Sequence, residues 1–144
     1  MIRMSNNVKG NLSISQVATG EENNFRLSIY GDKGALHWSQ ENPNYATFSK
    51  LGKPNQIITR GGSIKQDGSF SYERVPAGHP EGYLEAFAQI YSDAADVIKN
   101  KENKNELIKI LPNVNDGLHI MKFIKATVDS SNNNSAWTDL STVE

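Results

Sequence analysis

Hydrophobic and polar positions alternate along the first half of the chain and change to helical spacing in the second. In "NLSISQVA", Leu12 and Ile14 fall on one side and Ser13 and Ser15 on the other. That period of two is the pattern of a strand with one covered face. "NFRLSIYG" repeats it, with Phe25, Leu27 and Ile29 set against Arg26, Ser28 and Tyr30. "GALHWSQ" places Leu36 and Trp38 opposite Ala35 and His37. "YATFSKL", "NQIITR" and "GSFSYERV" continue the series, and "IRM" at the start reads as the end of a short strand before the turn "SNN". Gly20 with Glu21, and the run Gly31 to Gly34, supply connections of hairpin length. One apolar and one polar face per strand predict an antiparallel sheet covered on one side.

From Pro80 to about Lys99 the spacing changes. Leu84, Phe87, Tyr91, Ala94, Ala95 and Ile98 recur as on one face of a helix. Pro80 suits a first helical position, and Glu81 and Glu85 suit the positive end of the helix dipole. A second helix is predicted in "LPNVNDGLHIMKFIKATVDSS", with Asn113 as N-cap, Asp116 closing a capping box, and a stripe of Leu118, Met121, Ile124 and Val128. "SSNNNS" ends it, and "AWTDL" has strand character that could return to the sheet edge. Strands followed by two helices predict an α+β fold, an open and mostly antiparallel sheet with both helices on one face, in one domain over residues 1–144.

Composition narrows the function. A formal net charge of −1 offers no basic field to draw phosphates, so nucleic acid is not an expected partner. The lysines of "KNKENKNE" are interrupted by acids and read as a solvated linker. The chain has no cysteine, which excludes disulfides, thiolate metal sites and a cysteine nucleophile. It shows no run of membrane-spanning length and no secretory leader, so a cytoplasmic protein is expected.

Few residues suggest chemistry. The three histidines, His37, His79 and His119, are not at metal-ligand spacing. His37 falls on the polar face of a strand, with a sheet surface or an interface as its place; His119 reads as a surface or partly packed residue. His79, between Gly78 and Pro80, leaves two readings open. One is a polar group accepting a backbone N–H at the helix mouth. The other is an imidazole held there with its ring free to donate to a ligand hydroxyl. Glu41, Asn42 and Asn44, around Pro43, can be sugar-binding groups or an ordinary polar turn. No nucleophile elbow, phosphate loop or dinucleotide fingerprint is present; "GDKG" and "RGGS" read as hairpin turns.

The ordered stretches "KGNLSISQVATGEENNFRLSIYGDKGALHWSQENPN", "PAGHPEGYLEAFAQIY" and "LPNVNDGLHIMKFIKATVDSSNNNSAW" resemble the C-terminal domain of Gfo/Idh/MocA-type oxidoreductases, the relatives of glucose–fructose oxidoreductase and inositol dehydrogenase. The resemblance spans nearly the whole chain. It implies the second half of an enzyme whose N-terminal Rossmann domain holds NAD or NADP, and whose substrate is a sugar, a polyol or a derivative. It also implies a homo-oligomer through the open sheet face. The family's glycine-rich fingerprint, the lysine of its EKP-like motif and the Asp and His of its catalytic helix do not occur here, so no catalytic residue and no cofactor ligand is assigned to this chain. His79, in a "GHxEG" segment, is expected to contact substrate, together with Tyr83 of the same stretch and Glu41 of a "WxxExP" segment. The start inside a hairpin fits a piece of a longer protein, inactive alone. The alternative is a stand-alone module of the same fold that dimerises or binds carbohydrate without catalysis.

Overall fold

Strand pairing follows the alternation residue by residue. The computed structural model describes residues 1–61, 72–99 and 108–143. They fall into two compact units, Met1–Gly82 and Tyr83–Glu144. Among its described residues the first holds two antiparallel sheets. A small one pairs β1 (Ile2–Arg3) with β2 (Lys9–Gly10). The larger runs in the order β3 (Arg26–Tyr30), β4 (Gly34–Ser39), β5 (Tyr45–Lys50), β6 (Gln56–Thr59), each strand antiparallel to the next.

The register sorts the side chains. One face carries Leu27, Trp38, Ala46 and Ile58 in one cross-strand row and Ile29, Leu36 and Phe48 in the next. The other carries Ser28, His37, Thr47 and Ile57. Such rows are the unit of sheet stabilisation, each pair contributing roughly 0.2–1 kcal/mol. A one-residue slip would exchange the two faces, so the pattern itself fixes the register. Gly34 tightens it further: a Cβ there would lie 2.5 Å from the Ser49 carbonyl oxygen, which only a residue without a side chain avoids.

Three sequence expectations change. Residues 11–18, "NLSISQVA", alternate as a strand should, yet no strand forms there; Leu12 and Ile14 stay exposed. Alternation describes a side-chain pattern that fits a half-covered strand, and context decides whether one forms. The strand over 68–75 lies for the most part outside the described residues, and its described end, 72–75, carries no strand. The strand character of "AWTDL" gives way to a short 3-10 turn, Leu140–Thr142. Asp139 caps it, accepting from the Ser141 backbone N–H and hydroxyl, both at 2.8 Å. Those two bonds, the backbone one foremost, hold the Asp139 carboxyl below the usual carboxylate range. A local side-chain cap has outcompeted β-pairing.

Among its described residues the second unit contains two α-helices. The first, α1, is Tyr83–Lys99. It begins three residues later than Pro80, so Pro80 and Glu81 belong to the segment that leads into it. The second, α2, is Val114–Asn132, with Asn113 and Asp116 forming the expected capping box. Asn133, Asn134 and Ser135 end it, the last two with positive φ. Ala126 of α2 and Val143 are buried, and the Lys122 ammonium donates to the Val143 carbonyl. The fold is α+β, with open antiparallel sheets and two helices.

Two outcomes are expected. Gly34→Ala should lower stability by about 1–3 kcal/mol through overpacking, read as a fall in the urea midpoint with unchanged slope; an unchanged midpoint would mean β4 and β5 do not pair in this register. Asn113→Ala should cost about 1 kcal/mol, and a variant that unfolds with the parent would show the cap to be unused.

Candidate functional site

The two segments that drew attention in the sequence, residues 38–44 and 74–81, meet at one end of the larger sheet. Antiparallel pairing of Tyr45 with Thr59 places the start of β5 beside the end of β6. The turn before β5 and Arg60 after β6 are therefore neighbours, and the Arg60 backbone N–H donates to the Asn44 carbonyl at 2.9 Å.

The 40–44 turn is held from within the sheet. Trp38 packs edge-on against Phe25, with ring centroids 6.0 Å apart, and its indole N–H donates to the Pro43 carbonyl at 3.0 Å. The indole thus supplies apolar area at one end and fixes the turn at the other. The Asn42 N–H donates to the Ser39 carbonyl, and the Asn23 N–H to Glu41 Oε1 at 3.2 Å. Glu41 is exposed and joins its turn to the loop before β3.

Arg60 ties this turn to the 74–81 segment. Its Nε donates to Asn44 Oδ1 at 3.1 Å. Its Nη1 meets the Val75 carbonyl at 3.1 Å and Glu81 Oε2 at 2.5 Å. Its Nη2 meets the Pro76 carbonyl at 3.3 Å and the His79 carbonyl at 2.6 Å. Glu81 is bound on its other side as well: Oε1 accepts from the Arg74 N–H at 2.7 Å, and its own N–H donates to Asn44 Oδ1 at 3.0 Å. The side chains of Arg60 and Glu81 are 19% and 6% exposed. Among the described residues of this unit, Glu81 alone is buried. A carboxylate out of water needs both an ion partner and further donors, and this one has them. Its role is therefore a buried ion pair, where the sequence reading had given it to the helix dipole.

A tight crossing completes the cluster. Gly61 has φ +69°, and a Cβ there would lie 3.1 Å from Ala77 Cα. Its N–H donates to Glu73 Oε1 at 2.8 Å. Glycine is thus required twice, for its left-handed backbone and for the approach of the 72–81 segment.

His79 is not a helix cap. Its N–H donates to the Pro76 carbonyl at 3.2 Å, and its ring Nδ1 lies 3.1 Å from the same oxygen. A carbonyl only accepts, so in this contact Nδ1 is the donor. The residue is exposed. Asn44 is drawn into the network as a structural acceptor of two bonds. Tyr83 opens α1, is 67% exposed, and sets its ring 4.8 Å from that of Phe87. His37, in the polar row, has Nδ1 3.0 Å from the Ser28 hydroxyl and its ring edge-on to Tyr30.

Arg60 is what the sequence reading missed. It had been counted as the last residue of a strand before a glycine turn. Its acceptors are backbone carbonyls from 15 to 19 residues on, and no local pattern marks such a bond.

The described residues do not fit a dinucleotide. Both sheets are antiparallel, and neither helix is entered directly from a strand through a glycine-rich turn, which is how a pyrophosphate is held. No group of three or more His, Cys, Asp or Glu among them could hold a metal. No helix among them is long and apolar enough to cross a membrane.

Comparison with known proteins places this geometry. The family model for the C-terminal alpha/beta domain of the oxidoreductase family, Gfo/Idh/MocA type, matches residues 1–140. Uncharacterized oxidoreductase YfiI of Bacillus subtilis (strain 168) is 30% identical over 142 residues, covering 96% of this chain and 36% of that protein. An oxidoreductase from Sinorhizobium meliloti is 43% identical with a TM-score of 0.77, over 87% of this chain and 35% of that one. An inositol dehydrogenase homolog from Azotobacter vinelandii, solved in complex with NADH and myo-inositol, is 27% identical with a TM-score of 0.76, over 87% of this chain and 34% of that one. The chain thus spans about a third of the length of these relatives. It belongs to the Gfo/Idh/MocA oxidoreductase family and corresponds to that family's C-terminal alpha/beta domain.

Proposed function

We propose that this chain is the substrate-binding and oligomerisation part of an NAD(P)-dependent oxidoreductase acting on a sugar, a polyol or a derivative. The observation that carries the reading is the joining of the 40–44 turn and the 74–81 segment through Arg60, which presents His79 on a fixed loop. The similarity to a homolog complexed with NADH and myo-inositol supports the choice of substrate class. With Nδ1 on the Pro76 carbonyl, the exposed His79 ring keeps Nε2 for a polyol hydroxyl, which it would orient. Glu41 and Tyr83 are proposed as further contacts to the same substrate. The dinucleotide is assigned to another part of the full-length protein.

Self-association is assigned to the sheet face that carries Ser28, His37, Thr47 and Ile57. Tyr30 on this face is 75% exposed and Ile57 71%, and a flat row of small polar and apolar groups suits packing against a second sheet.

In the full-length enzyme, His79→Ala should raise KM for the polyol about 10-fold or more, as expected for a lost hydrogen bond at a binding site, while leaving the affinity for NAD(H) as it was. An unchanged KM would remove His79 from the site. Thr47→Glu should shift the protein toward a smaller species in light scattering coupled to gel filtration; a variant that keeps the parent's mass would place the interface elsewhere.

A further inference from the structure

We propose that Arg60 is a positioning residue for substrate binding: it sets the place of His79 by saturating its guanidinium with acceptors from the loop that carries the histidine. This rests on the reading of His79 as a substrate contact. A guanidinium has five N–H groups in a rigid plane. Arg60 has five acceptors within reach, namely Asn44 Oδ1, the carbonyls of Val75, Pro76 and His79, and Glu81 Oε2. Three of them are main-chain oxygens of one short loop.

That loop is also tied to the sheet end by Glu73, which accepts from the Gly61 N–H, and by the Glu81 N–H, which donates to Asn44 Oδ1. Residues 72–82 contain no helix or strand. Its described internal bonds near the histidine are those of His79 back to Pro76 and of Arg74 to Glu81. The guanidinium therefore gathers carbonyls that a ladder would otherwise have paired. The Arg60 backbone is pinned in turn to Asn44, and Gly61 lets the segment lie against it. Position passes from the sheet end to Arg60, and from Arg60 to the His79 carbonyl at 2.6 Å. The Glu81 carboxylate neutralises the cation and stops it from turning toward solvent. A lysine would keep the charge but offers at most three donors from one nitrogen, so it cannot hold all five acceptors.

The test uses the full-length enzyme with its dinucleotide, assayed on a panel of sugars and polyols that includes myo-inositol. Amide exchange, read by mass spectrometry, should speed up about 10- to 100-fold over residues 72–82 in Arg60→Met, and by an intermediate factor in Arg60→Lys, with β4 and β5 unchanged. KM for the best substrate should rise in the same order, with kcat little altered. In a His79→Ala background, Arg60→Lys should add nothing further to KM, because the histidine that it positions is gone. Unchanged exchange over 72–82 in both variants overturns the proposal. So does a KM effect that adds in full on top of His79→Ala. A His79→Ala enzyme with the parent's KM sinks the substrate-site reading, and with it the functional half of this inference, while the exchange data still decide whether Arg60 holds the loop.

Discussion

An arginine that leaves bulk water must find an acceptor for each of its N–H groups, and a carboxylate beside it must find donors for both oxygens. At one end of the sheet both requirements are met at once. Arg60 faces Asn44, three loop carbonyls and Glu81; Glu81 faces Arg60 and the Arg74 N–H. Removing Arg60 would leave the Glu81 carboxylate buried without its ion partner, which is the costly case. An ion pair of this kind contributes less to net stability than to uniqueness: one arrangement of the loop satisfies every group, and alternative arrangements leave some unpaired.

The rest of the local architecture makes that pairing possible. The strand register puts Arg60 next to Asn44, because Tyr45 pairs with Thr59. The indole of Trp38 fixes the Pro43 carbonyl, so the turn that carries Asn44 has a defined shape. Gly61, at φ +69°, admits the backbone of Ala77 at a distance where a Cβ would be crowded. Each is a modest effect, and together they specify where one exposed imidazole sits.

Much of the sheet was legible in the sequence, for a physical reason. β3, β4 and β5 alternate, and a ladder with one apolar face satisfies such a pattern in one register only; β6 departs from it, with Ile57 and Ile58 on opposite faces. The capping box of α2 was legible because both partners lie within one turn. The failures share a cause too. Residues 11–18 have the alternation without forming a strand, and "AWTDL" was captured by the Asp139 cap. Glu81 looked like a dipole residue because the helix was started at Pro80, three residues early. Of the site, His79 and the 38–44 turn stood out by composition. Arg60 did not, since its bonds reach backbone atoms far along the chain, and backbone acceptors leave no trace in a residue pattern. The tautomer of His79 was equally hidden, because it depends on the Pro76 carbonyl.

The most direct measurement is a crystal structure of the full-length enzyme with its dinucleotide and a bound polyol. The account predicts Arg60 against the carbonyls of Val75, Pro76 and His79, with His79 Nε2 within hydrogen-bond distance of a polyol hydroxyl. A polyol bound away from this loop, or an Arg60 side chain turned out into solvent, would contradict it.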